Sequence, residues 1–201
     1  MNVKIGLIGA NGKLGKTITK LEKVIEISRS TDRAKIECDV LIDVSSPEAL
    51  LENLSANKPI VIGTTGHKNL EAIQKGAETL PIFYAPNFSL SIALLKKLSL
   101  EIAKYFPENI DLIETHHTEK KDAPSGTALL LAQNLPGTKI QSIRSGNVIG
   151  EHTLIFSSPE EKITLSHEAL TRDLFAKGAL AAAHFLIGKP PGLYTMDNLF
   201  E

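Results

Sequence analysis

Val3-Lys-Ile-Gly-Leu-Ile-Gly9-Ala-Asn-Gly-Lys-Leu-Gly15 begins as an apolar run broken only by Lys4 and ends in a glycine-rich turn. The run reads as a strand buried on both faces, and the turn as its passage into a helix. N–H groups at a helix start have no partner within the helix and carry partial positive charge. The turn therefore suits a phosphate or pyrophosphate. Gly9, Gly12 and Gly15 depart from the plain G-x-G-x-x-G spacing, and alone they can mark no more than a strand–helix junction. Their place at the head of an alternating strand–helix series favours nucleotide binding.

Outward from that turn the alternation continues. A short helix is expected over 16–23 and strands over 24–28 and 39–44. A helix opens at Pro47, a strand follows over 59–63, a helix over 68–79 and a strand over 81–84. Nearly unbroken apolar strands between helices imply a parallel sheet covered on both faces. Ala85-Pro-Asn-Phe-Ser89 reads as a crossing between domains, and Ile92, Leu95, Leu98 and Ile102 mark a helix over 89–105. Strand-like runs at 111–115, 139–145, 153–157 and 162–167 have long or irregular connections, which suits a mixed sheet. Helices are expected over 128–135 and 172–186, and a tail over 193–201 that returns to the first domain. The fold class is α/β: a Rossmann-like parallel-sheet nucleotide-binding domain (1–88, with 173–201) plus a second α+β domain with a mixed sheet (89–172).

Composition sets limits. The 201 residues carry a formal net charge of -1, so bulk electrostatics favour neither nucleic acid nor an anionic membrane. The single cysteine, Cys38, allows no internal disulfide and reads as a small packing residue; a reducing cytoplasmic setting is expected. No apolar run reaches the ~20 residues of a membrane helix, and the first residues read as a strand, not a signal peptide. Cysteine and histidine show no metal-ligand spacing, so no metal is expected.

An acidic residue usually ends the second strand of a dinucleotide fold, where it meets the ribose. Here that region reads Ile27-Ser-Arg-Ser30. Ser28, Arg29 and Arg33 are candidates for a 2′-phosphate, which leans toward NADPH over NADH; a solvated surface role for Arg29 is the alternative. The chain between Ser28 and Asp39 is short for a crossover helix. Gly63-Thr-Thr65 and Ala85–Phe88 follow strands, where ligands sit in such sheets.

The densest chemistry lies in Glu114-Thr-His-His-Thr-Glu-Lys-Lys-Asp-Ala-Pro-Ser-Gly-Thr127. Histidine titrates near neutrality and can supply a proton. Lys120, four residues beyond His116, adds charge that attracts an anion and lowers the histidine's proton affinity. Ser125, Gly126 and Thr127 open a helix suited to a carboxylate, with helix capping as the alternative for Ser125 and Thr127. Asp122 reads as a loop holder through bonds to backbone. Arg144 and Arg172 are candidates to orient the segment or meet a carboxylate, or are exposed surface residues. His67, His152, His167 and His184 read as structural.

This segment resembles the signature of the 4-hydroxy-tetrahydrodipicolinate reductase (dihydrodipicolinate reductase) family. The Gly9–Gly15 turn, Gly63–Thr65, Ala85–Ser89, Arg144-Ser-Gly-Asn-Val-Ile-Gly-Glu-His152 and Arg172…Phe175-Ala-Lys-Gly178 match it in order. The resemblance implies reduction of a cyclic imine dicarboxylate with NADH or NADPH, in diaminopimelate and lysine synthesis, by a cytoplasmic homotetramer. It implies His116 as proton donor and Lys120 as the second catalytic residue. His117, Gly126 and Thr127 match substrate-binding positions, and Ser125 is grouped with them. Gly9, Ala10, Asn11, Gly12, Lys13, Leu14, Gly63, Thr64, Thr65, Ala85, Pro86, Asn87 and Phe88 match cofactor-contacting positions, to which the chemistry above adds Arg29. The chain is shorter than usual for the family between the glycine turn and Asp39, and again around 133–140. An aspartate-semialdehyde-type dehydrogenase would need a nucleophilic cysteine in the catalytic half, and a homoserine-type enzyme lacks the His-His…Lys segment. A protein that senses NADPH without turnover is the alternative outside enzymes.

Overall fold

The computed structural model describes residues 3–66 and 70–200. Short strands β1 (Ile5–Ile8), β2 (Ile25–Ile27), β3 (Val40–Asp43), β4 (Ile60–Ile62) and β5 (Pro81–Tyr84) pair in parallel, and the late strand β10 (Gly192–Tyr194) joins the edge beside β5. The sheet order is β10-β5-β4-β3-β1-β2. Helices α1 (Lys13–Leu21) and α6 (Asp173–Leu186) pack together, with α6 also against β3, β4 and β5. Leu50 of α2 (Leu50–Leu54) and Ile73 and Ala77 of α3 (Leu70–Ala77) join a core with Leu41, Ile60 and Ile82. Strand residues buried between helical layers have no solvated face, which is why the sequence shows runs rather than alternation. The expected start of α3 at Lys68, and His67, lie outside the described residues.

Local boundaries shift for identifiable reasons. α1 begins at Lys13 rather than 16, because Gly12, with extended backbone, serves directly as its N-cap. Pro47 starts a 3-10 turn, Pro47–Ala49, before α2 rather than a single helix. The crossing from β2 to β3 contains only the 3-10 turn Arg33–Lys35. In the usual dinucleotide order a further strand lies outside the second; here β2 is the edge, so the shortening falls on that side.

Two glycines of the turn are sterically required. Gly9 has φ +93°, and a Cβ there would lie 2.7 Å from the Val44 backbone. A Cβ on Gly15 would lie 2.2 Å from the Gly9 carbonyl oxygen, backbone that cannot give way alone. We expect Gly15→Ala to destabilise the protein by roughly 2–3 kcal/mol through overpacking and to weaken nucleotide binding, read by thermal melting and cofactor titration. An unchanged melt and affinity would contradict the packing described.

Ser89–Thr171 forms a second unit; Arg172 belongs with the first. Its four-stranded sheet has the order β7-β6-β8-β9, from β6 (Ile110–His116), β7 (Lys139–Arg144), β8 (Glu151–Ser157) and β9 (Lys162–Glu168). β6 and β7 are parallel and the other pairs antiparallel, a mixed sheet. Helices α4 (Leu90–Ala103) and α5 (Gly126–Ala132) cover one face: Ile92, Leu95, Ala128 and Leu131 meet Ile110, Leu112, Leu154 and Phe156. α5 starts at Gly126 rather than 128 because the Ser125 hydroxyl accepts the Ala128 N–H.

Candidate active site

The alternation of β6 decides what enters the second unit's interior. Ile110 and Leu112 are buried beneath the helices, and the same face carries Glu114 and His116. A slip of one residue would turn both aliphatic side chains to water and lose roughly 1.5–3 kcal/mol for each. The apolar half of the strand thus forces its polar half inward. β8 does the same: Leu154 and Phe156 are buried, and His152 shares their face, directly opposite Glu114. His167 on β9 lies opposite His152. The result is a row, Glu114–His152–His167, with His116 beside it.

Burying a carboxylate costs several kcal/mol unless it is paired and hydrogen-bonded, and Glu114 is fully buried. Arg144 grips it with two bonds, Nη1 to Oε2 at 3.0 Å and Nη2 to Oε1 at 2.8 Å. The Ser125 N–H donates to Oε1 at 3.2 Å, and His116 Nδ1 contacts Oε2. Burial pushes this carboxyl up, but bonds from Arg144, Ser142 and His116 outweigh it and hold the pKa down at about 2. Glu114 is therefore an anion that orients the His116 ring and leaves Nε2 as its working nitrogen.

Burial lowers the proton affinity of His116; the bond and charge of Glu114 oppose that, and the charges of Lys120 and Arg144 reinforce it. His152 is held down at about 4, by burial first and then by His116. Gly150 leaves room for the His116 ring: a Cβ there would lie 3.0 Å from Nε2.

The loop after β6 is tied back to the sheet. Arg144 Nε donates to the Lys120 carbonyl and Nη2 to the Asp122 carbonyl at 2.6 Å, so Arg144 orients the segment. Asp122 bonds backbone as expected, at Gly126, and its carboxylate also takes the Lys120 ammonium at 2.7 and 2.8 Å. Lys120 thus does not touch the His116 imidazole but acts on it through space. His117, half-buried, accepts the Lys120 N–H at its carbonyl. Ser125 is 1 % exposed, and its hydroxyl caps α5 and meets His152 Nε2 at 3.3 Å. Gly126 and Thr127 form the first turn of α5.

In the first unit, a crevice of about 1080 Å³ opens at the carboxyl ends of β1, β2 and β3, where the chain direction across the sheet reverses. Gly9, Ala10, Asn11, Gly12 and Arg29 line it, with Glu26, Ser45, Ser46 and Glu48. A second cavity of about 290 Å³ is lined by Lys13, Leu14, Gly63, Pro86, Asn87 and Phe88, with Thr17, Arg172 and Phe175. Thr64, Thr65 and Ala85 line neither cavity; Thr64 and Ala85 are buried. Such crevices bind dinucleotides, and the residues fit one: the turn excludes side chains, and no side chain caps the first turn of α1. Arg33 also lines the crevice; it is buried, and its guanidinium is held by Asn53, Glu52 and the carbonyls of Ser28 and Thr31.

Sequence reasoning missed Glu114 and filed His152 with the structural histidines. The alternation with Leu112 and Leu154 was the signal for both. Thr17, one turn beyond Lys13 on α1, was signalled by helical spacing. Among the described residues no group of His, Cys, Asp and Glu is placed to hold a metal ion, and no helix is long and apolar enough to cross a membrane.

A parallel sheet with a glycine cradle at its switch point, joined to a unit with a buried histidine–carboxylate pair, defines a pyridine-nucleotide oxidoreductase. The family model for the C-terminal part of dihydrodipicolinate reductase matches residues 91–200, and that for the N-terminal part matches 18–88. The chain belongs to the dihydrodipicolinate reductase family. It is 38% identical to the 4-hydroxy-tetrahydrodipicolinate reductase of Caldanaerobacter subterraneus subsp. tengcongensis, covering 100% of this chain and 99% of that protein. That alignment runs over 249 positions against 201 residues here, so the relative carries stretches this chain lacks. Identity to the Rickettsia rickettsii reductase is 36%, covering 99% of each. A dipicolinate-bound dihydrodipicolinate reductase from Paenisporosarcina sp. TG-14 shares the fold, with TM-score 0.86, 24% identity, and 98% of this chain and 99% of that one covered.

Proposed function

We propose that this protein reduces 4-hydroxy-tetrahydrodipicolinate to tetrahydrodipicolinate with NADPH or NADH, in the cytoplasmic synthesis of diaminopimelate and lysine. The observation that carries this reading is His116, oriented by the Glu114–Arg144 pair at the end of the strand whose following loop carries Lys120, in a chain of this family.

Gly9–Leu14, Gly63–Thr65, Ala85–Phe88 and Arg29 hold the nucleotide, and Arg29 on the crevice rim favours NADPH. Bound reduced nicotinamide supplies the hydride. The residues of the chain manage charge and protons. Lys120 and the first-turn amides of Gly126 and Thr127, with His117, receive the carboxylates of the substrate. An arriving dianion offsets the charges of Lys120 and Arg144 that lower the proton affinity of His116, so substrate itself favours the imidazolium. The substrate's 4-hydroxyl departs with a ring proton as water, which leaves the conjugated ring that the hydride reduces; Glu114 stabilises the imidazolium through Nδ1, and Nε2 gives its proton to that ring. Asp122 holds the Lys120 ammonium until a substrate carboxylate replaces it. The open face of the second sheet, with Ile113, Ile143 and Ile155, supports assembly into a homotetramer.

The test is NADPH consumption with substrate made fresh from pyruvate and aspartate semialdehyde. Wild type should turn over, and Lys120→Ala should lose roughly 100-fold or more in kcat. A wild type that binds NADPH without consuming it would favour the sensor, and a near-normal Lys120→Ala would remove Lys120 from the chemistry.

A further inference from the structure

The mechanism above uses His116 but not the imidazole packed against it. His152 is 3 % exposed and lies directly across from Glu114. Its ring meets His116 edge to face, with centroids 5.2 Å apart and planes at 78°. Its Nε2 is 3.3 Å from Ser125 Oγ, the oxygen that accepts the Ala128 N–H. Glu114 and His116 face it from β6, Ser125 from α5 and His167 from β9.

The direction of these bonds defines a tautomer. Ser125 Oγ accepts from Ala128, and among the described residues His152 Nε2 is the one acceptor within reach of its hydroxyl proton, so that proton is directed at Nε2. Nε2 then accepts, and the ring proton sits on Nδ1, which is buried without a partner among the described residues. An apolar ring would fill the space without stranding a buried donor, an unfavourable arrangement that calls for a reason other than packing.

We propose that His152, as the neutral Nδ1–H tautomer, is a positioning residue of the proton-donor site. It fixes the ring plane of His116 and the rotamer of Ser125 together, so the donor nitrogen and the first turn of α5 keep one geometry. The inference rests on the reductase reading. Without His152, the His116 ring can turn about its single bond to Glu114, and the Ser125 hydroxyl can leave the cap. Misplacing a donor by a fraction of an ångström slows proton transfer more than it weakens binding.

His152→Phe keeps a ring against His116 and removes the acceptor for Ser125; His152→Gln keeps an acceptor and removes the ring. Each is expected to lower kcat roughly 10- to 100-fold, the range for residues that orient a reactive group. KM for substrate and cofactor should stay within about threefold, and the solvent deuterium isotope effect on kcat should rise. Nitrogen-15 NMR of wild-type histidine side chains at neutral pH should show His152 protonated on Nδ1 alone. Unchanged kcat in both variants, or a proton on Nε2, overturns the proposal. So does a joint collapse of melting temperature, cofactor affinity and kcat in both, which would mark His152 as core packing. Absence of turnover in the wild type defeats the reductase reading instead, and the tautomer measurement distinguishes the two failures.

Discussion

Glu114→Ala should lower the melting temperature by on the order of 10 °C, from a loss of roughly 3–5 kcal/mol, and cut kcat at least ~100-fold. The carboxylate is the one acceptor shared by Arg144, the Ser125 amide and His116 Nδ1. Its removal strands the Ser125 amide and His116 Nδ1, leaves Arg144 with backbone carbonyls alone, and lets the His116 ring rotate. Glu114→Gln keeps the volume but cannot offer two anionic oxygens, so it should restore part of the stability and little of the rate. The pH profile of stability carries the same signature. A carboxyl held at about 2 against a usual 4.5 contributes stability that is fully present above the unfolded value and lost as pH falls through about 2. The histidines act in a higher window. His116, His152 and His167 all bind protons less readily when folded, His152 down to about 4, so the unfolded chain takes up protons first. Wild-type stability should therefore decline from pH 6.5 toward 4 and then steepen, whereas Glu114→Ala should keep the first decline and lose the second. A variant that melts and turns over like wild type would remove Glu114 from the site.

His116→Gln should reduce kcat by about 10²- to 10⁴-fold, the range for loss of a positioned general acid, while cofactor affinity stays at the wild-type level. The crevice-lining residues belong to the first unit, and His116 ends a strand of the second, so the substitution leaves the glycine turn intact. Glutamine keeps a polar group against Glu114 but has no titratable nitrogen. The decline of kcat with rising pH that a protonated donor imposes should disappear along with most of the rate. A variant that keeps that decline would place the titrating acid elsewhere.

Local patterns made most of the architecture legible. Apolar runs flanked by glycine and proline located the parallel strands, and Pro81–Tyr84 was placed to the residue. These signals are short-range, because a strand buried on both faces must be apolar throughout and a turn needs its own residues. The candidate segment stood out for the same reason: His116, Lys120 and Ser125 lie within ten residues. The pairing of Arg33 with Asn53 and Glu52 was not, since nothing near Arg33 in the chain distinguishes it from Arg29.

Taken alone, the sequence determined the alternating fold and the glycine turn and singled out His116 as a candidate, because each depends on neighbours a few positions away. Only the tertiary structure decided that Glu114, Arg144 and His152 surround that histidine. Their meeting depends on register between β6, β7 and β8, set by the burial of Leu112, Leu154 and Phe156 beneath two helices, and no local pattern encodes which distant strands will align.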